Sequence, residues 1–185
     1  MSFSCFGRSR VAGTVVLVAL SACSLLQRES GNAPLTDRDV AAIFLAANNT
    51  DVSYAQVALA PGRTTNTDVI AFANRMLSDH GGLNKAALDL YSATGITPRD
   101  NTLSLDFRDE SAARRDTLRE ATGAAFDSTY MANEVRYHTR LLVAIDSVLL
   151  PVTKNNELRA MLTRVRPAVA AHLEHATRVQ AALHK

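Results

Sequence analysis

The sequence predicts an all-α protein in which four long helices form an up-down-down-up bundle, with a crossover segment between the second and third helices. Apolar residues recur at spacings of three and four along four long stretches of the chain. No long strand pattern with a period of two and no internal repeat competes with that periodicity. The chain is rich in Ala, Leu and Val, has no Trp and has only 5% aromatic residues, a composition that favours close packing of helices.

The first two predicted helices have clear end signals. The first begins at Thr36, an N-cap residue followed by acids in the first turn, and ends at Pro61-Gly62. Its apolar stripe consists of Val40, Ile43, Phe44, Ala47, Tyr54 and Ala58. The second begins near Asn66 and ends at Gly95, with Pro98 beyond it. Its stripe consists of Val69, Phe72, Ala73, Met76, Leu83, Ala87 and Leu90.

The stretch from residue 99 to residue 122 is polar and charged, and it predicts a crossover connection outside the core. We expect one short helix within it, from about Asp109 to Ala121, before Gly123. A long connection at this place makes the ferritin-like arrangement the natural solution for four amphipathic helices.

The third predicted helix begins at Asp127-Ser128, where Asp127 is read as a cap, and Pro151 stops it. Its stripe consists of Tyr130, Met131, Leu141, Leu142, Ile145 and Leu149. The stripe of the fourth consists of Leu158, Met161, Leu162, Val165, Val169, Ala176, Val179 and Leu183. Pro167 is expected to kink this helix or to start a new segment, because proline removes one backbone donor.

The N-terminus predicts export. Arg8 and Arg10 precede the apolar run 11–19, and Leu-Ser-Ala-Cys at 20–23 resembles the lipobox after which bacteria cleave and acylate a cysteine. The apolar run is about a dozen residues long, well short of the roughly 20 that a membrane-spanning helix needs. We therefore expect a lipoprotein signal peptide over 1–22 and lipidation of Cys23.

The predicted domains are this signal peptide, the lipidated cysteine with a flexible tether over 23–35, and a ferritin-like four-helix domain over 36–185. The lipid on Cys23 makes a membrane the expected partner. Ser24 stands where an Asp would be linked to retention in the inner membrane, so the expected location is the periplasmic face of the outer membrane.

Charge and cysteine content exclude several functions. Removal of residues 1–22 takes away two arginines and no acid, which leaves 18 basic residues against 18 acidic ones. Nucleic-acid binding needs a basic surplus, so that class is excluded. Cys5 leaves with the signal peptide and Cys23 becomes a thioether, so the folded part has no disulfide, cysteine nucleophile or thiolate ligand.

Each apolar stripe has an interval in which no apolar residue stands at the expected spacing of three or four. A polar residue occupies the expected position in that interval. The first contains Asp51, and the other three contain His80, His138 and His172. Glu134 lies one turn before His138 on the same face. Each lies near the middle of its helix, so an antiparallel bundle can bring them to one layer. An unpaired carboxylate in a core costs several kcal/mol, so both acids need partners if they are buried.

Two kinds of partner satisfy these groups equally well. One is a single divalent transition-metal ion; three imidazoles and a carboxylate match Zn(II), and Fe, Mn or Cu also suit His with carboxylate. The other is a structural His–carboxylate cluster in a non-metal envelope interaction or stress protein. Such a bundle would dock an unidentified protein partner and would loosen as its histidines gain charge at lower pH.

Enzymatic activity is not favoured by any motif. Nucleophile elbows, phosphate loops and dinucleotide fingerprints are missing from the sequence. A ferritin-type di-iron centre needs Glu-x-x-His, whereas Glu134 and His138 are four residues apart. An oxidoreductase with one metal ion and an open coordination position is a third alternative, and it requires a solvent path. We expect His175 to be solvated and Asp79 to be a surface charge on a different face from His80.

Three motifs centred on histidine resemble a known family. They are residues 73–80, ending in Asp79-His80, the segment Phe126-Asp127-Ser128-Thr129-Tyr130 followed by His138, and residues 171–176 around His172. Together they resemble the bacterial domain-of-unknown-function family forty-one forty-two, over roughly residues 39–183. The resemblance implies a ferritin-like four-helix bundle and an exported or outer-membrane protein, and it implies no established activity.

The chain departs from the pattern of this family at two places. Family members commonly have Glu in the first helix where this chain has Asp51, and the shorter side chain would need a closer backbone or a bridging water. The stretch from Ala60 to Thr67 is longer than usual and is interpreted as a loop insertion.

Overall fold

The computed structural model describes residues 34–183, and every regular element in that range is a helix, which confirms the all-α class. The helices are α1 (Asp37–Ala58), α2 (Thr67–Thr94), α3 (Thr102–Glu120), α4 (Gly123–Ala144), α5 (Leu150–Val152) and α6 (Asn156–Ala182). A π-helical turn over Ile145–Leu149 joins α4 to α5. The predicted signal peptide, the lipidation site Cys23 and most of the tether lie outside the described residues.

The ends of α1 and α2 follow the predicted signals. At the start of α1, the backbone N–H and hydroxyl of Thr36 both donate to Asp39. At the start of α2, the Asn66 side chain accepts hydrogen bonds from two backbone N–H groups of the first turn. The helix ends at Gly95, whose φ of 70° lies in the left-handed region that favours glycine.

The long helices bury the predicted apolar stripes. Helix α1 packs against α2 and α3, α4 packs against α6, and α2 contacts α6. All stripe residues are buried except four leucines, which are partly buried and pack against the core: Leu83, Leu90, Leu142 and Leu183. Within residues 34–183, none of the helices has the length and apolar character required to cross a membrane.

The crossover segment differs from the prediction. It is a 19-residue helix, α3, and it contributes Phe107 and Leu118 to the core, each only 1% exposed. These residues are eleven positions apart, which is three helical turns and so the same face. The Thr50 hydroxyl of α1 donates to the Phe107 carbonyl at 3.2 Å. The prediction of a connection outside the core was therefore wrong, because a few large side chains on one face are enough to bury a mostly charged helix.

In the second half of the chain, the predicted start of the third helix is corrected, and one of the two alternatives at Pro167, a new segment, is excluded. Helix α4 begins at Gly123 rather than at Asp127, so Asp127 lies inside the helix, buried, and is not its cap. Helix α6 continues through Pro167 without starting a new segment. A proline removes one hydrogen bond of this ladder, and the 27-residue helix retains the bonds and the buried face on either side.

Candidate metal centre

Four helices bring the predicted polar residues together in the core. Asp51 comes from α1, His80 from α2, Glu134 and His138 from α4, and His172 from α6. All five are buried, with exposures of 0% to 2%. The centroids of the three imidazole rings are 5.3 to 5.9 Å apart. The sequence-based placement of these residues in one layer is therefore realised in the structure.

The orientation of His80 is fixed by an asparagine. Its Nδ1 lies 2.7 Å from Asn48 Oδ1, and Asn48 Nδ2 in turn donates to the Phe44 carbonyl at 2.9 Å. This second bond orients the amide oxygen toward the ring, so Nδ1 is the nitrogen that donates. Nε2 of His80 is then the free nitrogen, and it lies 2.9 Å from Asp51 Oδ2.

His138 is held by its own helix. Its Nδ1 donates to the backbone carbonyl of Glu134 at 2.9 Å. Its Nε2 lies 3.2 Å from the same Asp51 oxygen that approaches His80. Two imidazole nitrogens and one carboxylate oxygen thus meet at one point. A tetrahedral ion with bonds of 2.0 to 2.1 Å keeps its ligand atoms about 3.3 Å apart, close to these separations.

His172 pairs with a residue that the sequence analysis placed elsewhere. Its Nε2 lies 2.9 Å from Asp79 Oδ2, and Asp79 also accepts from Arg75 Nε at 3.3 Å. Asp79 remains partly exposed while His80 is buried, but the packing of α6 beside α2 brings His172 to it, so Asp79 is more than the surface charge that the sequence predicted. Burial, with the charge of nearby His80, lowers the pKa of His172 to about 4. The ring is therefore neutral at pH 7.

The three imidazoles share one arrangement. Each has one nitrogen bonded to an oxygen: an amide, a backbone carbonyl or a carboxylate. The remaining nitrogens, Nε2 of His80, Nε2 of His138 and Nδ1 of His172, are buried and form no hydrogen bond within residues 34–183, although Asp51 Oδ2 lies beside the first two. One ligand atom from each of the three residues lies within 4.8 Å of the others. Metal-binding histidines have this arrangement, so the cluster can hold a metal ion.

The pKa values of the two carboxylates of the cluster are shifted in opposite directions. Burial opposes ionisation of Asp51, but His80 and His138 outweigh it and hold the pKa of Asp51 below its usual range. Burial and the charge of Asp51 raise the pKa of Glu134 well above its usual value. Glu134 Oε2 also lies beside His138 Nδ1, at 3.5 Å, on the side of the ring that is already bonded. Asp51 Oδ2 faces the unbonded nitrogens of His80 and His138, and Asp51, Glu134 and His138 form a second group whose ligand atoms lie within 4.8 Å of one another.

Aromatic side chains enclose the cluster. Tyr137 donates its hydroxyl to the Ala47 carbonyl at 2.6 Å, and its ring meets that of His138 edge-on. Burial raises the pKa of Tyr54 to about 12, so this neighbouring phenol stays protonated.

His175 is half-buried rather than solvated, with its ring 5.2 Å from that of Phe72. The expectation of a solvated His175 was wrong because Phe72 covers it.

Sequence reasoning missed two residues that hold the histidines, Asn48 and Asp79. Asn48 had a usable signal, because it lies three residues before Asp51 and so close to the same face of α1. Asp79 had none, because its role depends on how α2 and α6 pack.

The fold and the site together define an all-helical protein with a buried histidine–carboxylate cluster that can hold a metal ion. The family model described as Domain of unknown function (DUF4142) matches residues 24–179, so the chain belongs to that family. This match confirms the resemblance drawn from the three histidine motifs. Comparisons with curated proteins and with solved structures find no match.

Proposed function

We propose that this protein binds one divalent transition-metal ion through His80, His138, His172 and Asp51. The observation that carries the proposal is the set of three buried imidazoles, each with one nitrogen bonded to an oxygen and the other without a partner among the described residues. Unbonded buried polar atoms are costly in a core, and a cation bound among them would remove that cost.

Zinc is the ion that best suits this donor set. Three neutral imidazoles and one carboxylate give the four-coordinate N/O environment that Zn(II) prefers, and Fe, Mn or Cu are the alternatives. Glu134 lies next to this set and supplies a second carboxylate for a larger coordination number. Storage, sensing and stabilisation of the fold are the roles that such a site supports.

The proposal includes the topology and location of the protein. The four helices that carry the cluster correspond to an up-down-down-up, ferritin-like bundle, with α3 as the crossover between α2 and α4. Cys23 would carry the lipid that holds the domain at the periplasmic face of the outer membrane. Support comes from the lipobox-like residues 20–23 and from Ser24 at the following position.

Lipid anchoring is tested separately from metal binding. Mass spectrometry of the mature protein should find acyl chains on an N-terminal Cys23, and membrane fractionation should place the protein in the outer membrane. A Cys23→Ala variant should lose both properties. Recovery of unmodified parent protein from the soluble periplasm would contradict the anchor and would leave the metal proposal unaffected.

A structural His–carboxylate cluster is the second candidate, and one observation favours it. Asp51 Oδ2 lies near two imidazole nitrogens, at 2.9 and 3.2 Å, distances that protonated histidines would turn into ion pairs. The protein would then be a non-metal envelope module that docks a partner, and loss of one histidine would reduce only its stability.

Elemental analysis decides between the two candidates. The domain from Ser24 onward should be purified from the periplasm without a histidine tag, beside His138→Ala and the control His175→Ala. Near-stoichiometric metal in the parent and control, and none in His138→Ala, would identify the ion. If all three proteins lack metal, even after incubation with zinc, iron, manganese and copper, the metal proposal is wrong.

A further inference from the structure

A second candidate binding site lies between α3 and α4, separate from the histidine cluster. The two helices line a cavity of about 470 Å³ that is open to solvent, within the 300 to 1,000 Å³ range of small-molecule pockets. Its wall combines two arginines with apolar side chains. Such a mixture is typical of sites that bind a small molecule with one charged end.

One buried polar group in the wall has no partner. Asn133 is 6% exposed, and its Oδ1 accepts from Arg136 Nη2 at 2.9 Å. That bond fixes the amide orientation, which leaves Nδ2 as a donor without a hydrogen-bond partner anywhere in residues 34–183. A buried donor of this kind favours a ligand that brings an acceptor oxygen.

The charge around the cavity is positive. Arg136 is already neutralised by Glu110, which also pairs with Arg140. Arg114 is exposed and has no ion pair in the described part of the chain, so its guanidinium is available to an anion. Guanidinium groups bind carboxylates through paired hydrogen bonds, which makes a carboxylate the matching ligand group.

We propose that this cavity binds a small organic carboxylate. Its carboxylate would contact Arg114 and Asn133, and its apolar part would lie against the exposed Ala132, above the buried Leu118. The site uses no residue of the proposed metal centre, so the carboxylate proposal can be tested independently of metal binding.

Nuclear magnetic resonance titration of the full chain in non-ionic detergent tests the proposal, with benzoate as the probe. Benzoate should shift the side-chain amide signals of Asn133 and saturate with a Kd on the order of 1 mM. Benzamide, which has the same shape without the charge, should bind at least about tenfold more weakly.

Two arginine variants complete the experiment. Arg114→Ala should weaken benzoate binding about tenfold or more, whereas Arg164→Ala, an exposed arginine on α6 outside the cavity, should change it less than about twofold. Non-saturating shifts, equal binding of benzamide, or unchanged binding in Arg114→Ala would each overturn the proposal. Inorganic phosphate that binds as tightly as benzoate would also overturn it, because the apolar wall would then contribute nothing.

Discussion

Two aspartates on α1, Asp39 and Asp51, are both buried, with exposures of 2% and 0%, but their surroundings differ completely. The Asp39 carboxylate accepts hydrogen bonds from the backbone and hydroxyl of Thr36, at 2.8 and 2.6 Å. It also accepts from Arg99 Nε and Nη2, at 2.9 and 2.7 Å. Neither oxygen of Asp51 has a hydrogen-bond partner among the described residues, and its nearest polar neighbours are imidazole nitrogens of His80 and His138.

This difference separates a carboxylate that is satisfied by the donors around it from one that depends on the histidine cluster. The hydrogen-bonding and charge requirements of the Asp39 carboxylate are met by other residues of the chain, because Thr36 and Arg99 supply its donors and Arg99 supplies the opposite charge. Asp51 instead faces two imidazole nitrogens that offer it no proton while both rings are neutral, and a buried charge without donors costs several kcal/mol. The comparison therefore supports a bound cation at Asp51 and predicts opposite behaviour of the two residues on substitution.

The largest expected effect is on metal affinity. Asp51→Asn should weaken binding of the ion by at least about 100-fold, because it removes a charged ligand, whereas Asp39→Asn should leave affinity within about twofold. Competition with a chromogenic chelator measures both values. Unchanged affinity in Asp51→Asn would instead assign the carboxylate ligand to Glu134.

The next effect is on the free energy of unfolding. Asp39→Ala should destabilise the domain by about 2 kcal/mol, because it leaves the donors of Thr36 and Arg99 without their acceptor. Urea denaturation without metal measures the change. Asp89→Ala on the surface of α2 is the matched control, since its exposed pair with Lys85 contributes little. If Asp39→Ala behaves like this control, the network around Asp39 has no structural role.

Acid should remove the contribution of Asp39. Hydrogen bonds from Arg99, followed by those from Thr36, outweigh burial and lower the pKa of Asp39 from 3.8 to about 2. A depressed pKa in the folded state contributes stability above the unfolded pKa, and that contribution is lost as pH falls through the folded pKa. The stability gap between the parent and Asp39→Asn should therefore be roughly 2 kcal/mol at pH 6 and should shrink between pH 4 and 2. A constant gap across this range would contradict the assignment.

The smallest effect concerns the residue that holds His172. Asp79→Asn should lower metal affinity about tenfold, because the amide orients the imidazole less firmly than a carboxylate does. Asp79→Ala should lower it further, and Arg75→Ala should change it little. The same chelator competition measures the series. Equal affinities in all three variants would show that Asp79 is only a surface acid.

Much of the fold followed from periodicity. Every gap in the four apolar stripes held a polar residue that the structure buries, because a residue between buried neighbours on one helix face is itself buried. Helix α3 was missed as part of the core, since only widely spaced residues such as Phe107 and Leu118 signal its buried face. The start of α4 was predicted at Asp127 rather than at Gly123, because aspartate is a common cap residue. In the structure this aspartate lies inside the helix instead.

The sequence by itself determined the helical class, the positions of Asp51, His80, His138 and His172 within the apolar stripes of their own helices, and the family. Those properties depend on local spacing along single helices, which can be read from a linear pattern. Only the tertiary structure decided which nitrogen of each imidazole is free, that Asp79 holds His172, and that Asp39 is satisfied while Asp51 is not. Such properties depend on contacts between helices far apart in sequence, whose rotation and register no single helix specifies.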